Sequence, residues 1–141
     1  MTNNEPHDIE ELNIRVDEEV KNTLYNIIKQ VVSRMYTESM LVVLISRLRS
    51  QGKINSPPEI VEYMIREPAD FYKQILEQFR EQASADAFIK TLFNEISRAT
   101  TTPLRVDEII ETLHRGDEKK FQEKILEIIH NIRTRTLKPM Y

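Results

Sequence analysis

The apolar positions of the chain recur three and four residues apart, the spacing that places side chains on one face of an α-helix. The first stripe runs from Val20 to Met35. It is preceded by three acids, Asp17, Glu18 and Glu19, which favour the positive end of a helix dipole. Further stripes occupy 60–65, 71–79, 88–96, 106–113 and 121–132. No segment of useful length alternates apolar and polar residues with a strand's two-residue period. The pattern predicts an all-α fold, a single-domain helical bundle of about six or seven helices.

Glycines and prolines mark the boundaries of these helices. Gly52 and Gly116 are the two glycines of the chain, and both are predicted to end helices as left-handed C-caps. Pro68 stops the third helix and begins the fourth, and no proline falls inside a predicted helix. The stripe shifts phase near Ala83, which favours a break before a fifth helix capped within 84–86 over one continuous helix.

Three further helix starts are predicted from capping residues. Thr37 precedes the second helix, Glu38 to Gln51, and can accept a backbone N–H at its start. Ser56 and Glu59 have the spacing of a capping box around two prolines. The loop at 100–102 leads into another proline start, at 103.

The stretch TLHRGDEKKF, residues 112–121, combines residue types that also occur in phosphate loops and metal sites. We interpret it as a turn between helices. Gly116 supplies the positive φ of a C-cap, and the Asp117 carboxylate can accept N–H groups of the next helix. His114 and Arg115 place positive charge where a helix C-terminus favours it.

The second predicted helix contains an apolar run with no polar side. The run comprises Met40, Leu41, Val42, Val43, Leu44 and Ile45. A helix that is apolar all round must be covered on every face. We therefore expect this helix at the centre of the bundle or in a subunit interface, which makes the run a possible contact surface and a homo-oligomer possible.

Composition bounds the domain organisation and the compartment. A chain of 141 residues with 30% charged residues and net charge −3 fits one folded domain. Seven acids and one base lie in the first 19 residues, so residues 1–15 are expected to form a flexible acidic arm, 16–137 the bundle and 138–141 a short tail. Cysteine is absent, and no apolar run is long enough to span a membrane. We expect a cytoplasmic protein, and 17 isoleucines without tryptophan suggest a microbial or viral source.

The sequence gives little support for a known catalytic motif or metal-binding motif. Glu111 with His114 and Glu127 with His130 form two Glu-x-x-His motifs, as in di-iron bundles. However, the motifs lie on consecutive helices, and helical periodicity places His130 opposite the buried stripe. Two isolated glycines cannot build a phosphate loop, and the chain has no nucleophile elbow. We predict a non-catalytic protein without a metal or another cofactor.

Two clusters of basic residues are candidates for partner binding. Arg47, Arg49 and Lys53 lie at the end of the second helix, and Arg133, Arg135 and Lys138 lie near the C-terminus. Such clusters suit a phosphate backbone or an acidic protein surface, although helix C-termini also attract bases. The second and third helices could pass for a helix-turn-helix, but the third offers three glutamates and one arginine to DNA. Sequence-specific reading is therefore not expected.

The last predicted hairpin, VDEIIETLHRGDEKKFQEKILEIIHNI, resembles the ligand-binding domains of FadR-type bacterial transcription regulators. There, too, a short helix ends in a Gly-Asp turn before a long one. The likeness covers about a fifth of the chain. Those domains place metal-binding histidines where this chain has Val106 and Ile128, and a winged-helix domain precedes them. Since neither feature is present here, the resemblance implies only a helical hairpin.

Two functional hypotheses follow. The first is a non-catalytic module for protein–protein interaction: an adaptor, an inhibitory regulator or a small subunit of a larger assembly. The second is an accessory protein of nucleic-acid machinery that touches the phosphate backbone through the basic clusters. Both hypotheses place the function on the surface of the protein, because the glycines, prolines and apolar stripes of the chain are accounted for by folding.

Overall fold

The computed structural model describes the backbone of residues 18–137 and the side chains of residues 18–134. Within this part the chain forms seven α-helices, one 3₁₀ turn (Pro57–Glu59) and no strand, which confirms the predicted all-α bundle. The helices are α1 (Glu18–Met35), α2 (Glu38–Ser50), α3 (Ile60–Arg66), α4 (Pro68–Phe79), α5 (Gln82–Thr100), α6 (Val106–Arg115) and α7 (Glu118–Leu137).

Helix α5 lies at the centre of the bundle and contacts α1, α4, α6 and α7. Its buried face follows the predicted stripe and carries large side chains, among them Phe88, Leu92 and Phe93. The ring of Phe93 meets the ring of Phe121 from α7 edge to face, with the centroids 5.9 Å apart. Burial of such side chains supplies the main favourable term for folding, so α5 organises the core.

Helix α2 lies at the edge of the bundle, beside α1. Only two residues separate them, and α2 packs mainly on α1. Leu41, Leu44 and Ile45 are buried, but Val42 and Val43 are 62% and 51% exposed. Helix α2 therefore does not lie at the bundle centre, the first of its two expected positions, and the second, a subunit interface, stays a prediction. The run from Met40 to Ile45 makes one covered face and leaves apolar side chains outside.

Most predicted helix boundaries are confirmed. Gly52 and Gly116 adopt φ values of +76° and +70° after α2 and α6. The Asp117 carboxylate accepts the N–H of Lys120 at 3.2 Å, so this residue caps α7. Helices α4 and α5 are separate, as favoured, because Arg80 adopts a left-handed conformation with φ of 66°. Helix α5 nevertheless begins at 82, two residues before the expected cap.

Three predicted helix starts differ in detail from the structure. The Thr37 hydroxyl pairs with the Ser39 hydroxyl at 3.1 Å, and no side-chain cap bonds the α2 backbone. The Glu59 carboxylate accepts the N–H of Asn55 at 2.8 Å, one residue before the expected Ser56, whose own hydroxyl makes no cap bond. The proline at 103 does not start α6, which begins at 106. Local sequence marked these boundaries but did not determine the bonds.

The ends of the chain were assigned an acidic arm at 1–15 and a short tail at 138–141. Both assignments lie outside the described residues. Met35, placed on the first buried stripe, is 62% exposed at the end of α1, so the stripe ends at Val32. None of the helices in the described region combines the length and the apolar character required to cross a membrane.

Candidate protein-contact groove

An open groove of about 550 Å³ runs between α1 and α2. Its walls are mostly apolar, with Val32 from α1 and Leu41 and Ile45 from α2 at its floor. Tyr25 and Pro57 line the same groove. A concave apolar surface with a few polar groups at the edge is the usual form of a binding site.

The groove follows from the apolar run of α2. Successive residues of a helix point about 100° apart, so a run of six covers more of the surface than α1 can bury. Leu41 and Ile45 face α1, whereas the next side, which carries Val42, borders the groove. Val43 is also exposed but is not part of the groove lining. The two neighbouring valines therefore differ in environment and not in chemistry.

Charged side chains stand along the rim of the groove. Glu38 and Arg49 mark the two ends of its α2 side, and Lys29 stands on its α1 side. The Lys29 ammonium lies over the ring of Tyr25, 5.5 Å from its centroid, a distance at which the ring quadrupole attracts a cation. Partial burial raises the pKa of the Tyr25 hydroxyl, so the cation of Lys29 faces an uncharged ring at physiological pH.

The other side of α2 is fastened to α4 through Arg47. The Arg47 guanidinium donates to Gln74 Oε1 at 3.1 Å, to the Gln74 carbonyl at 2.8 Å and to Gln78 Oε1 at 3.0 Å. Gln74 is 6% exposed and also donates to Gln51 at 3.0 Å. These bonds satisfy a buried amide with a planar, multidentate donor. Arg47, a predicted partner-binding residue, is therefore engaged inside the chain.

A second polar cluster joins the segment after α2 to α3 and α4. Lys53 Nζ lies 2.8 Å from Asp70 Oδ2, and the Tyr63 hydroxyl donates to the same oxygen. The hydrogen bonds from Lys53 and Tyr63 lower the pKa of Asp70, and the bond to Asp70 raises the pKa of Lys53. Burial, and then the bond to Asp70, raise the pKa of Tyr63. Lys53 is thus the second predicted partner-binding base that is engaged within the chain, in this case by a carboxylate.

A third polar cluster, which the sequence did not reveal, joins α4, α5 and α6. The Tyr72 hydroxyl donates to Asp86 Oδ1 at 2.7 Å, and His114 Nε2 lies 2.9 Å from Asp86 Oδ2 and 3.1 Å from Gln82 Nε2. Burial, and then the bond to Asp86, raise the pKa of Tyr72. Members of the cluster come from three helices, so no local motif could have indicated it.

The two Glu-x-x-His motifs do not converge. Glu111 pairs with Arg115 at 3.0 Å, whereas His114 turns to Asp86. On α7, His130 is exposed and lies 3.5 Å from the hydroxyl of Thr134. Within residues 18–134, no group of three or more histidine, aspartate or glutamate side chains is arranged to hold a metal ion.

Only some of the residues in the two predicted basic clusters are available on the surface of the described part of the chain. In the cluster at the end of α2, Arg49 stands on the groove rim, while Arg47 and Lys53 are bound by side chains of α4. Arg133 lies on α7, and the side chains of Arg135 and Lys138 lie outside the described residues.

The element that resembled a recognition helix is part of the core. Helix α3 buries five of its seven residues, so it cannot present an exposed face to a DNA groove. The hairpin that resembles FadR-type domains is present as α6 and α7, with Ile128 buried. No protein-family model, no curated protein and no solved structure matches the chain.

Proposed function

We propose that this protein is a non-catalytic helical interaction module that binds a protein partner through the groove between α1 and α2. One observation carries the proposal: Val42 is 62% exposed in the lining of an apolar groove of about 550 Å³. A branched apolar side chain at such a place gains free energy when a second surface covers it, roughly 25 cal/mol per Å² of apolar area.

The chemistry of the groove also suits a protein surface. Protein interfaces combine an apolar centre, depleted in charge, with a polar rim. Here Leu41, Val42 and Ile45 supply the centre, and Glu38 and Arg49 stand at the ends. A helix laid in a groove is a recurrent mode of recognition, read through apolar anchors at helical spacing.

The non-catalytic part of the proposal rests on how the titratable side chains are used. Asp70 is engaged by Lys53 and Tyr63, and Asp86 by Tyr72 and His114, in both cases where helices meet. Groups with shifted pKa values are candidates for catalysis when they face a cleft. In these two clusters the same groups connect elements of the bundle, which supports a structural role.

Affinity capture with two matched variants tests the proposal. Tagged wild-type protein, Val42→Glu and Val43→Glu are incubated with a lysate of the source organism, and captured proteins are identified by mass spectrometry. Wild type and Val43→Glu are expected to capture the same protein, whereas Val42→Glu loses it, because a charge in the groove centre cannot be desolvated cheaply. Capture that is equal for all three, or the absence of any captured protein, would contradict the proposal. Capture of the untagged chain counts as a protein partner.

Contact with a phosphate backbone stays the alternative prediction. With Arg47 and Lys53 held by α4, such contact would depend on Arg49 and on bases near the C-terminus. Backbone binding through lysine and arginine weakens steeply as salt concentration rises. A gel-shift titration at low and high salt tests it, and the absence of a shift at low salt would rule it out.

A further inference from the structure

The α2 side of the groove is symmetric about the middle of the helix. Its lining residues are Glu38, Leu41, Val42, Ile45, Ser46 and Arg49. They form pairs equally distant from the point between residues 43 and 44: 38 with 49, 41 with 46, and 42 with 45. The outermost pair has opposite charges, and the innermost pair is apolar.

We propose that the groove is filled by α2 of a second copy of this chain, in a two-fold symmetric, antiparallel α2–α2 contact. In a two-fold interface, a residue i that contacts residue j of the other copy is matched by j contacting i. Antiparallel pairing about the helix middle places Glu38 of each copy opposite Arg49 of the other, twice per dimer. The surface is therefore complementary to itself in charge.

The same pairing covers the exposed apolar side chain. Val42 of each copy comes opposite Ile45 of the other, at the centre of the contact, and the small side chain of Ser46 comes opposite Leu41. The axes of two helices that pack through side chains three and four residues apart lie about 8–10 Å from each other, a distance that small and branched side chains permit. Val42, exposed in the single chain, becomes the central residue of the interface.

Charge also selects the orientation of the second helix. A parallel pairing would bring Glu38 against Glu38 and Arg49 against Arg49, and like charges across an interface suppress that arrangement. The remaining charge of the groove, Lys29, is already positioned over the ring of its own Tyr25. The rim therefore favours one arrangement of two copies, the antiparallel one.

This inference rests on the proposed function, because it names the partner of the same groove. Sedimentation equilibrium of four proteins tests it: wild type, Glu38→Arg, Arg49→Glu and the double variant. Each single reversal creates two like-charge contacts per dimer and is expected to weaken dimerisation about tenfold or more. The double variant exchanges the charges and is expected to recover dimerisation to within about threefold of wild type.

Two matched variants control for charge at the ends of α2. Ser39→Arg and Ser50→Glu introduce the same charges beside the tested positions, at exposed residues outside the groove lining. Both are expected to dimerise like wild type. Circular dichroism of every variant verifies that the helices are retained, so that loss of the dimer is distinguished from unfolding.

Several results would overturn the inference. The wild type could stay monomeric up to about 100 µM, or both single variants could dimerise as strongly as wild type. The third such result is a double variant that dimerises as weakly as the single variants. A monomeric wild type that still captures another protein through Val42 would overturn only the second copy as occupant. If the wild type neither dimerises nor captures a protein, the proposed function is overturned as well.

Discussion

Helices α2 and α5 are both rich in apolar residues, yet they have opposite positions in the molecule. Helix α5 contacts four other helices, and its largest side chains are fully buried. Helix α2 packs mainly on α1 and leaves two valines exposed. The apolar residues of α5 form a stripe that its neighbours cover, whereas those of α2 surround the helix at its middle.

The difference shows that apolar content alone does not locate a helix in a bundle. Where the neighbouring helices cover the whole apolar stripe, as in α5, all of its side chains belong to the core. A run that exceeds what one neighbour can cover leaves an apolar surface, as in α2, and such surfaces often serve binding. The proposed function rests on this excess, and three pairs of variants test how the core and the edge of the bundle differ.

The largest expected effect concerns the centre of α5. Phe93→Ala removes a fully buried ring and its edge contact with Phe121, and should lower the free energy of unfolding by about 3–5 kcal/mol. Val43→Ala on α2, at an exposed position outside the groove lining, should change it by less than about 0.5 kcal/mol. Urea denaturation measures both, and similar losses would contradict the assignment of α5 as the core helix and α2 as the edge helix.

An intermediate effect is expected where α2 is fastened to α4. Arg47→Ala removes three hydrogen bonds and leaves the buried Gln74 amide oxygen without its donor, which should cost about 2 kcal/mol. Arg49→Ala removes an exposed arginine of the same helix and, at a protein concentration too low for self-association, should change the free energy of unfolding by less than about 0.5 kcal/mol. Thermal or urea unfolding compares them. Equal stability of the two variants would show that Arg47 does not fasten α2 to α4.

A smaller, pH-dependent effect is expected at Asp70, which links α4 to the segment following α2. Asp70→Asn weakens the bonds from Lys53 and Tyr63 and should lower the free energy of unfolding by about 1 kcal/mol at pH 7. The folded pKa of Asp70 lies below its ordinary value of 3.8. Its stabilisation is therefore complete above about pH 4 and is lost as the pH falls through the folded pKa.

Urea denaturation of wild type and Asp70→Asn between pH 7 and pH 3 measures this dependence. The stability difference should stay constant down to about pH 4 and shrink below it. Asp107→Asn, in an exposed pair with Lys90, is the matched control and should follow wild type throughout. A difference that grows as the pH falls would have the wrong sign.

The sequence predicted the elements that depend on local chemistry. The stripes place the core helices, and Gly116 with Asp117 gives the α6–α7 turn, because positive φ and N-capping are decided by a few neighbouring residues. The break near 80 also follows from the change of phase. Local rules thus located these boundaries, although at Thr37 and Ser56 they did not give the capping bonds.

What the sequence could not predict depends on how the helices pack. The groove exists because α2 has a single main neighbour, a fact of topology that its apolar run does not specify. Arg47 and Gln74 lie 27 residues apart, and Asp86 and His114 lie 28 apart. Arg47 was therefore interpreted as a partner-binding base, although its guanidinium is engaged by α4. Binding by Arg49 and by the apolar run stays a prediction.

Photocrosslinking from α2 shows whether the groove side of this helix contacts a protein. A photoreactive phenylalanine analogue replaces Val42 in one variant and Val43 in another, and both are irradiated in cells of the source organism. Neighbouring positions of equal chemistry thus report on the two sides of the same helix. We expect a discrete crosslink to a protein, a second copy included, from position 42 and none from position 43. No crosslink from position 42, or the same crosslinks from both, would contradict the proposed function.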